Sequence, residues 1–289
     1  MRIGRFVGGG HETPFWGVIS PDGNIQPIVG SLPAWAPLVV DEGIDAVTTE
    51  KKSLPLDALT VLAPFDLPGR VFACGGNYIE HLRAAGFLDD PPRVPVAYLK
   101  VDSSIIGTEV AIRYPSYTEQ LDYEVELVGV IGRPLRAGEA PSAALLGYTV
   151  GNDVSVRDAP GPLGGLDFYV MKAADGISPL GPWIVTPDEL DGPGQPALKI
   201  SLSCNGELRQ IDNTKNVLFD IDELLTYVDE RNRLRAGDIL FTGTPSGTAY
   251  ERGDGYLEPG DLLVAEIEGI GVLCNAVGER ETPGAGVER

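Results

Sequence analysis

The stretch LDYEVELVGVIG, Leu121–Gly132, carries the alternation on which the fold is read. As a strand with side chains pointing alternately to two faces, it puts Asp122, Glu124 and Glu126 on one face, which continues into Val128 and Val130. Three acids at one end of a half-apolar face admit two readings. One is an edge strand with its end in water. The other is a metal site, because glutamates two apart on one strand lie roughly 7 Å apart at Cα and can reach a single cation.

Outward from this strand the chain keeps a β texture. From Val71 onward, short runs such as VFAC, VAYLK, LLGYTVGND, WIV, LKISLSCNG, DILFTG and LLVAEIEGIGVLCNAV alternate with turn signals, among them Asn205-Gly206, RAGD and EPGD. Two stretches read as helices. NYIEHLRAAG has Asn77 as its candidate N-cap and Gly86 as its stop. DIDELLTYVDERN opens with Asp220 and Glu223 at capping-box spacing, and its apolar stripe of Ile221, Leu224, Leu225 and Val228 marks it as structural. Before Val71, FWGVIS and NIQPIV flank a turn at Pro21, Asp22 and Gly23. A segment weak in strand signals follows, with prolines at Pro55, Pro64 and Pro68. The reading is an α+β, mainly β chain. A small N-terminal β-containing domain spans residues 1–67 and a larger domain spans 68–289, with a loose tail from about residue 280.

With 289 residues, 43% of them hydrophobic, the chain can bury a substantial core. Its net charge of −20 argues against nucleic acid or an anionic membrane as partner, since both would repel it. An anionic substrate would need locally concentrated positive charge, which a divalent cation can supply. Cys74, Cys204 and Cys274 lack metal-type spacing, and an odd count fits buried thiols in a reducing compartment. The N-terminal residues lack the apolar run of a signal peptide, and no run approaches a membrane span. A cytoplasmic location is expected.

A hard cation needs more oxygens than two glutamates offer, so a third carboxylate is expected. Asp153, closing the apolar run GYTVGND, is the best candidate, and Asp158 competes with it. The neighbouring Arg157 can pair with Asp158 or with substrate. One of only two histidines, His81, shares a helix face with Tyr78, Leu82 and Ala85, as a core residue or as an acid–base group behind the Gly75-Gly76 turn. Lys172, one of six lysines, lies in YVMKAADGISPLGP, where it either stabilises an oxyanion or is solvated. FTGTPSG offers Thr242, Thr244 and the amides near Gly243 to a carboxylate.

In order and approximate spacing, GGNYIEH, LDYEVELVGVIG, GYTVGNDVSVRD, MKAADGISPLGPW, NGELRQIDNT and LFTGTPSGT resemble the fumarylacetoacetate hydrolase superfamily over about residues 68 to 278. The resemblance implies a mixed β-sandwich roll preceded by a small N-terminal domain, frequently as a homodimer. It places the metal-binding acids on Glu124, Glu126 and Asp153, holding Mg²⁺ or Mn²⁺ and sometimes Ca²⁺, with no organic cofactor. His81 and Lys172 fall on the catalytic positions, while Tyr78, Arg157 and Thr244 fall near the substrate.

The implied chemistry is metal-assisted cleavage of a C–C bond in a 2-oxo acid or β-diketo acid of acylpyruvate type, through a stabilised enolate. Decarboxylation, tautomerisation or dehydration of the same substrate class is the alternative, and a non-catalytic small-acid-binding or partner-binding protein is a third. Two departures bear on the choice. Many members carry a glutamate three residues after the histidine, where this chain has Ala84. A glutamine commonly follows the arginine by three residues, where this chain has Pro160, inside APGPLGGLDF. That run, within residues 159–168, permits a rigid turn or a hinged lid.

Overall fold

A computed structural model describes residues 1–87, 91–158, 167–190 and 192–282. Pro160 and most of the candidate lid therefore lie outside the described residues. Within them the protein is mostly strand with few helices, as the alternation predicts.

The LDYEVELVGVIG stretch is two strands rather than one. Leu121–Asp122 pairs with Ser155–Val156, and Val125–Ile131 sits in the middle of a twelve-stranded sheet. Val125–Ile131 is buried along its whole length, so both of its faces need apolar cover. Val125, Leu127 and Ile131 point into a core shared with Ile200 and Leu202 and with Leu263, Ala265 and Leu273. Those residues come from Lys199–Cys204, Leu262–Ile267 and Gly271–Arg280, strands of a five-stranded sheet packed on the first. Val128 and Val130, on the face that carries the acids, enter a second core with Trp16, Trp35, Ile184 and Phe241.

Trp35 belongs to a helix, Leu32–Glu42, that the sequence reading did not anticipate. Pro33 and Pro37 disguise it: Pro33, in the first turn, costs no hydrogen bond, whereas Pro37 lies inside the helix and removes one. Its buried residues Leu32, Trp35, Ala36 and Val39 follow the 3.6-residue period, and this stripe covers the sheet. The N-terminal strand Arg2–Gly8 pairs antiparallel with Ser178–Val185, so the strands before residue 68 run on into the large sheet.

Of the two expected helices, Ile221–Asp229 has its Asp220–Glu223 capping box formed and its stripe buried. The other, Ile79–Ala84, starts at Tyr78 rather than Asn77. The Asn77 side chain instead donates to the Phe219 and Thr242 carbonyls and accepts from Phe219 N, tying three segments together beneath the site. The three cysteines are unpaired; Cys74 and Cys204 are buried, while Cys274 is half-buried rather than buried as expected. Among the described residues, no helix is long and apolar enough to cross a membrane.

Candidate active site

The antiparallel register of the two central strands assembles the acids. Val125 lies opposite Asn152, which brings the next residue, Asp153, beside Glu124. Asp153 N donates to the Glu124 carbonyl at 2.8 Å, and Glu124 N donates to the Asn152 side-chain oxygen at 2.9 Å. Two residues on, Glu126 accepts from Gly243 N at 2.7 Å. Gly243 has φ +97°, and a Cβ there would lie 2.8 Å from Asn77 Cβ, so the turn FTGTPSG needs glycine to aim this amide. Glu124, Glu126 and Asp153 each place a carboxylate oxygen within 4.8 Å of the others, and all three are buried.

Two lysines answer these acids. Lys172 Nζ donates to Glu124 Oε2 at 2.6 Å, to Asp153 Oδ2 at 2.7 Å and to the Asp153 carbonyl at 3.0 Å. It ends the short helix Phe168–Lys172, whose N-cap Asp167 accepts from Tyr169 N and Val170 N. Phe168 stacks on Tyr98 at 4.3 Å, docking that helix on the sheet's edge strand Val96–Lys100. The same strand supplies Lys100, which pairs with Asp153 Oδ1 and donates to the Lys172 carbonyl at 2.9 Å, and Tyr98, which donates to Asp153 Oδ2 at 2.5 Å. Lys100 and Tyr98 escaped the sequence reading. The signal was available in VAYLK, where a lysine ends an apolar run without an adjacent acid.

The electrostatics follow from burial. Burial alone would push the Asp153 carboxyl up, but Lys100 and Lys172 outweigh it and hold the group below its usual range. Burial likewise raises Glu124, and Lys172 with Arg157 brings it below its ordinary value. Glu126 has no such partner. Burial, then the charges of Asp153 and Glu124, push it well above the carboxylate range. Lys172 is penalised by burial yet held up by Asp153 and Glu124. A site with one carboxylate left over after its lysines are counted has the oxygen donor set and the charge to take a hard divalent cation.

His81 stands nearby, on Ile79–Ala84, close enough that a positive charge on its ring would favour the ionised form of Glu124. Its Nδ1 meets the carboxylate of Glu251, a residue the sequence reading passed over. Glu251 lies on the four-residue helix Ala249–Arg252, and its other oxygen accepts from Gly247 N at 2.5 Å and Ser246 Oγ at 2.9 Å. The sequence did hold a clue. Thr248-Ala-Tyr-Glu251 has the Thr-x-x-Glu spacing of a capping box, and Thr248 does cap Glu251 N. Ala84, where many members place the histidine's glutamate, is exposed on the other helix.

The remaining residues singled out in the sequence take the following places. Arg157 pairs with Asp122 and Glu124 rather than with Asp158, and its guanidinium stands 5.4 Å from the Tyr250 ring centre. Asp158 accepts from Thr118 Oγ1 and Glu119 N, away from the triad, and so does not compete with Asp153. Asp122, though on the acid-bearing stretch, turns to Arg157 and the amides of Ala249 and Tyr250. Thr244 is buried behind the triad, donating to the Val125 carbonyl and accepting from Gln210. Tyr78 is fully buried, its hydroxyl has no partner among the described residues, and burial with the Glu126 charge pushes it up.

Comparison with known proteins shows the family. The profile for the fumarylacetoacetate (FAA) hydrolase C-terminal region matches residues 70–278. The chain is 37% identical over 236 residues to the mitochondrial oxaloacetate tautomerase FAHD2B of Bos taurus, covering 80% of this chain and 74% of that protein. A crystal structure of 5-carboxymethyl-2-hydroxymuconate delta-isomerase from Mycobacterium smegmatis superposes with a TM-score of 0.75 and 32% identity, over 97% of this chain and 100% of that one. A fumarylacetoacetate hydrolase from Exiguobacterium antarcticum gives 0.76 and 31%, over 97% and 100%. The chain belongs to the fumarylacetoacetate hydrolase superfamily.

Proposed function

We propose that the protein is a divalent-metal-dependent enzyme that interconverts the keto and enol forms of a small 2-oxo dicarboxylic acid of the oxaloacetate type. The observation that carries this reading is the His81–Glu251 pair beside a buried acid triad held by two lysines. Keto–enol exchange removes one proton from C3 and delivers one to the oxygen on C2, and it consumes no water. With its Nδ1–H donating to Glu251, a neutral His81 has Nε2 available to take and return the C3 proton. Lys172 brings positive charge, or a proton, to the C2 oxygen. Glu124, Glu126 and Asp153 would hold the cation, which when bound supplies Lewis acidity toward the 2-oxo acid unit. The relatives named as oxaloacetate tautomerase and as muconate isomerase support this reaction class.

The test follows the loss of enol absorbance from oxaloacetate with Mg²⁺ or Mn²⁺ and, in parallel, the release of pyruvate. Metal-dependent acceleration of the first over the second, lost in Lys172→Met, is the expected result. Pyruvate release keeping pace with enol decay would make the enzyme a decarboxylase. A second reading, hydrolysis of an acylpyruvate, is favoured by one observation: Glu251 gives His81 the carboxylate partner that Ala84 does not. Release of pyruvate and a carboxylic acid from an acylpyruvate, faster than any keto–enol exchange, would establish it instead.

A further inference from the structure

Asp122 is fully buried, lies outside the acid triad, and takes no part in the chemistry proposed above. Its two oxygens accept four hydrogen bonds. Oδ1 accepts from Tyr123 N and Ala249 N, both at 2.8 Å, and Oδ2 accepts from Tyr250 N at 3.1 Å and Arg157 Nε at 2.9 Å. Ala249 and Tyr250 open the four-residue helix whose third residue is Glu251. So brief a helix has almost no stability of its own and stays where its first amides are held. Thr248 takes the amide of Glu251, and Asp122 takes the two before it. The other arm of Arg157 reaches Glu124. One carboxylate therefore connects a triad acid to the element that carries the partner of His81.

We propose that Asp122 is a positioning residue for the His81–Glu251 pair: it seats the Glu251 helix and, through Arg157, ties that helix to Glu124. This rests on reading His81 and Glu251 as the acid–base pair of the site, but the test reads position rather than turnover. The chain has only two histidines, His11 and His81, so nitrogen-15 spectra of the imidazole rings can be assigned with a single His11→Gln variant. A ring whose Nδ1 proton is held by a carboxylate adopts the Nδ1-protonated tautomer when neutral, and a released ring reverts toward the Nε2-protonated one.

In the full-length chain, at a pH where the rings are neutral, wild-type His81 is expected in the Nδ1-protonated form, with Glu251→Ala setting the released limit. Asp122→Ala should move His81 to that limit. Asp122→Asn keeps an oxygen for Ala249 but turns an amide donor toward Tyr250 and Arg157, and it should give a mixture of the two forms. A role in overall stability alone would lower the unfolding temperature without moving the tautomer. A folded Asp122→Ala protein with the wild-type ring signature overturns the proposal. If that variant does not fold, an unchanged signature in Asp122→Asn overturns it equally. A wild-type ring without the Nδ1 proton removes its premise and overturns it too. Should the wild type show the tautomer but no keto–enol acceleration, the functional reading falls, while the Asp122 variants still decide the question of position.

Discussion

The carboxylate of Glu251 meets the imidazole of His81 across 170 residues of sequence, and both side chains are largely shielded from water. A carboxylate at Nδ1 fixes the ring's tautomer and orientation and stabilises the charge it gains on taking a proton. Replacing Glu251 with Gln should therefore lower turnover by about 100-fold or more, with little change in KM, since proton transfer rather than binding is impaired. Steady-state kinetics on oxaloacetate check this, and a rise in KM alone would place Glu251 in substrate binding instead.

Lys100 touches no expected substrate atom, yet it fixes one oxygen of Asp153 and the carbonyl of Lys172. Lys100→Met should weaken Mn²⁺ binding by about 10- to 100-fold, the range found when groups that orient metal ligands are removed. Calorimetric titration of metal-stripped protein measures it. Unchanged affinity would mean that Tyr98 and Lys172 hold Asp153 unaided.

What the sequence disclosed and what it hid divide along range of interaction. The acids Glu124 and Glu126 share a face because a strand alternates, and Asp153 joins them because it follows directly on the strand paired with theirs. The first is local enough to be read from spacing, as is the Asp220–Glu223 capping box; the second is set by the strand register, and the residues alone left Asp158 as a competitor. The helix Leu32–Glu42 was masked by Pro33, harmless near a helix start, and by Pro37, which the packed stripe of Leu32, Trp35, Ala36 and Val39 tolerates inside it. The break at Tyr123 and Glu124, which frees Asp122 to turn toward Ala249 and Tyr250, has no turn residue to announce it. Glu251 was hidden more deeply, because a four-residue helix shows no periodicity and its partner lies on a distant element. The family pattern directed attention to Ala84, while the fold supplies the carboxylate from another place.

Gly243 offers a structural test of the triad's rear wall. Its φ of +97° and the 2.8 Å approach to Asn77 leave a methyl group neither conformation nor space. Gly243→Ala should destabilise the protein by more than about 1 kcal/mol, as expected where alanine meets positive φ. It should also weaken metal binding, because the amide that fixes Glu126 is displaced. Denaturant unfolding and metal titration on the same sample separate these effects, and intact metal affinity in a destabilised variant would show that Glu126 needs no such anchor.

The metal-free protein should lose stability as pH rises above the ordinary glutamate range, the reverse of what ion-paired carboxylates give. Asp153 and Glu124, held below their ordinary values of 3.8 and 4.5, contribute stability that is present above those values and lost as pH falls through their folded ones. Glu126 is raised, so its contribution has the opposite sign: complete below 4.5 and lost as pH climbs through its higher folded value. In that upper window the folded chain binds more protons at this position than the unfolded chain, and stability should fall by up to about 1.4 kcal/mol per pH unit for one proton. A bound cation favours the ionised carboxylate, so saturating Mn²⁺ should flatten the slope, and metal binding should release a proton into the buffer. Denaturant unfolding across pH in EDTA and in Mn²⁺, with Glu126→Gln as control, measures both. The variant lacks the titrating group and should show no such decline in EDTA. Matching profiles for wild type and variant would mean that Glu126 is already ionised in the metal-free fold, with Lys100 and Lys172 together stabilising all three charged acids.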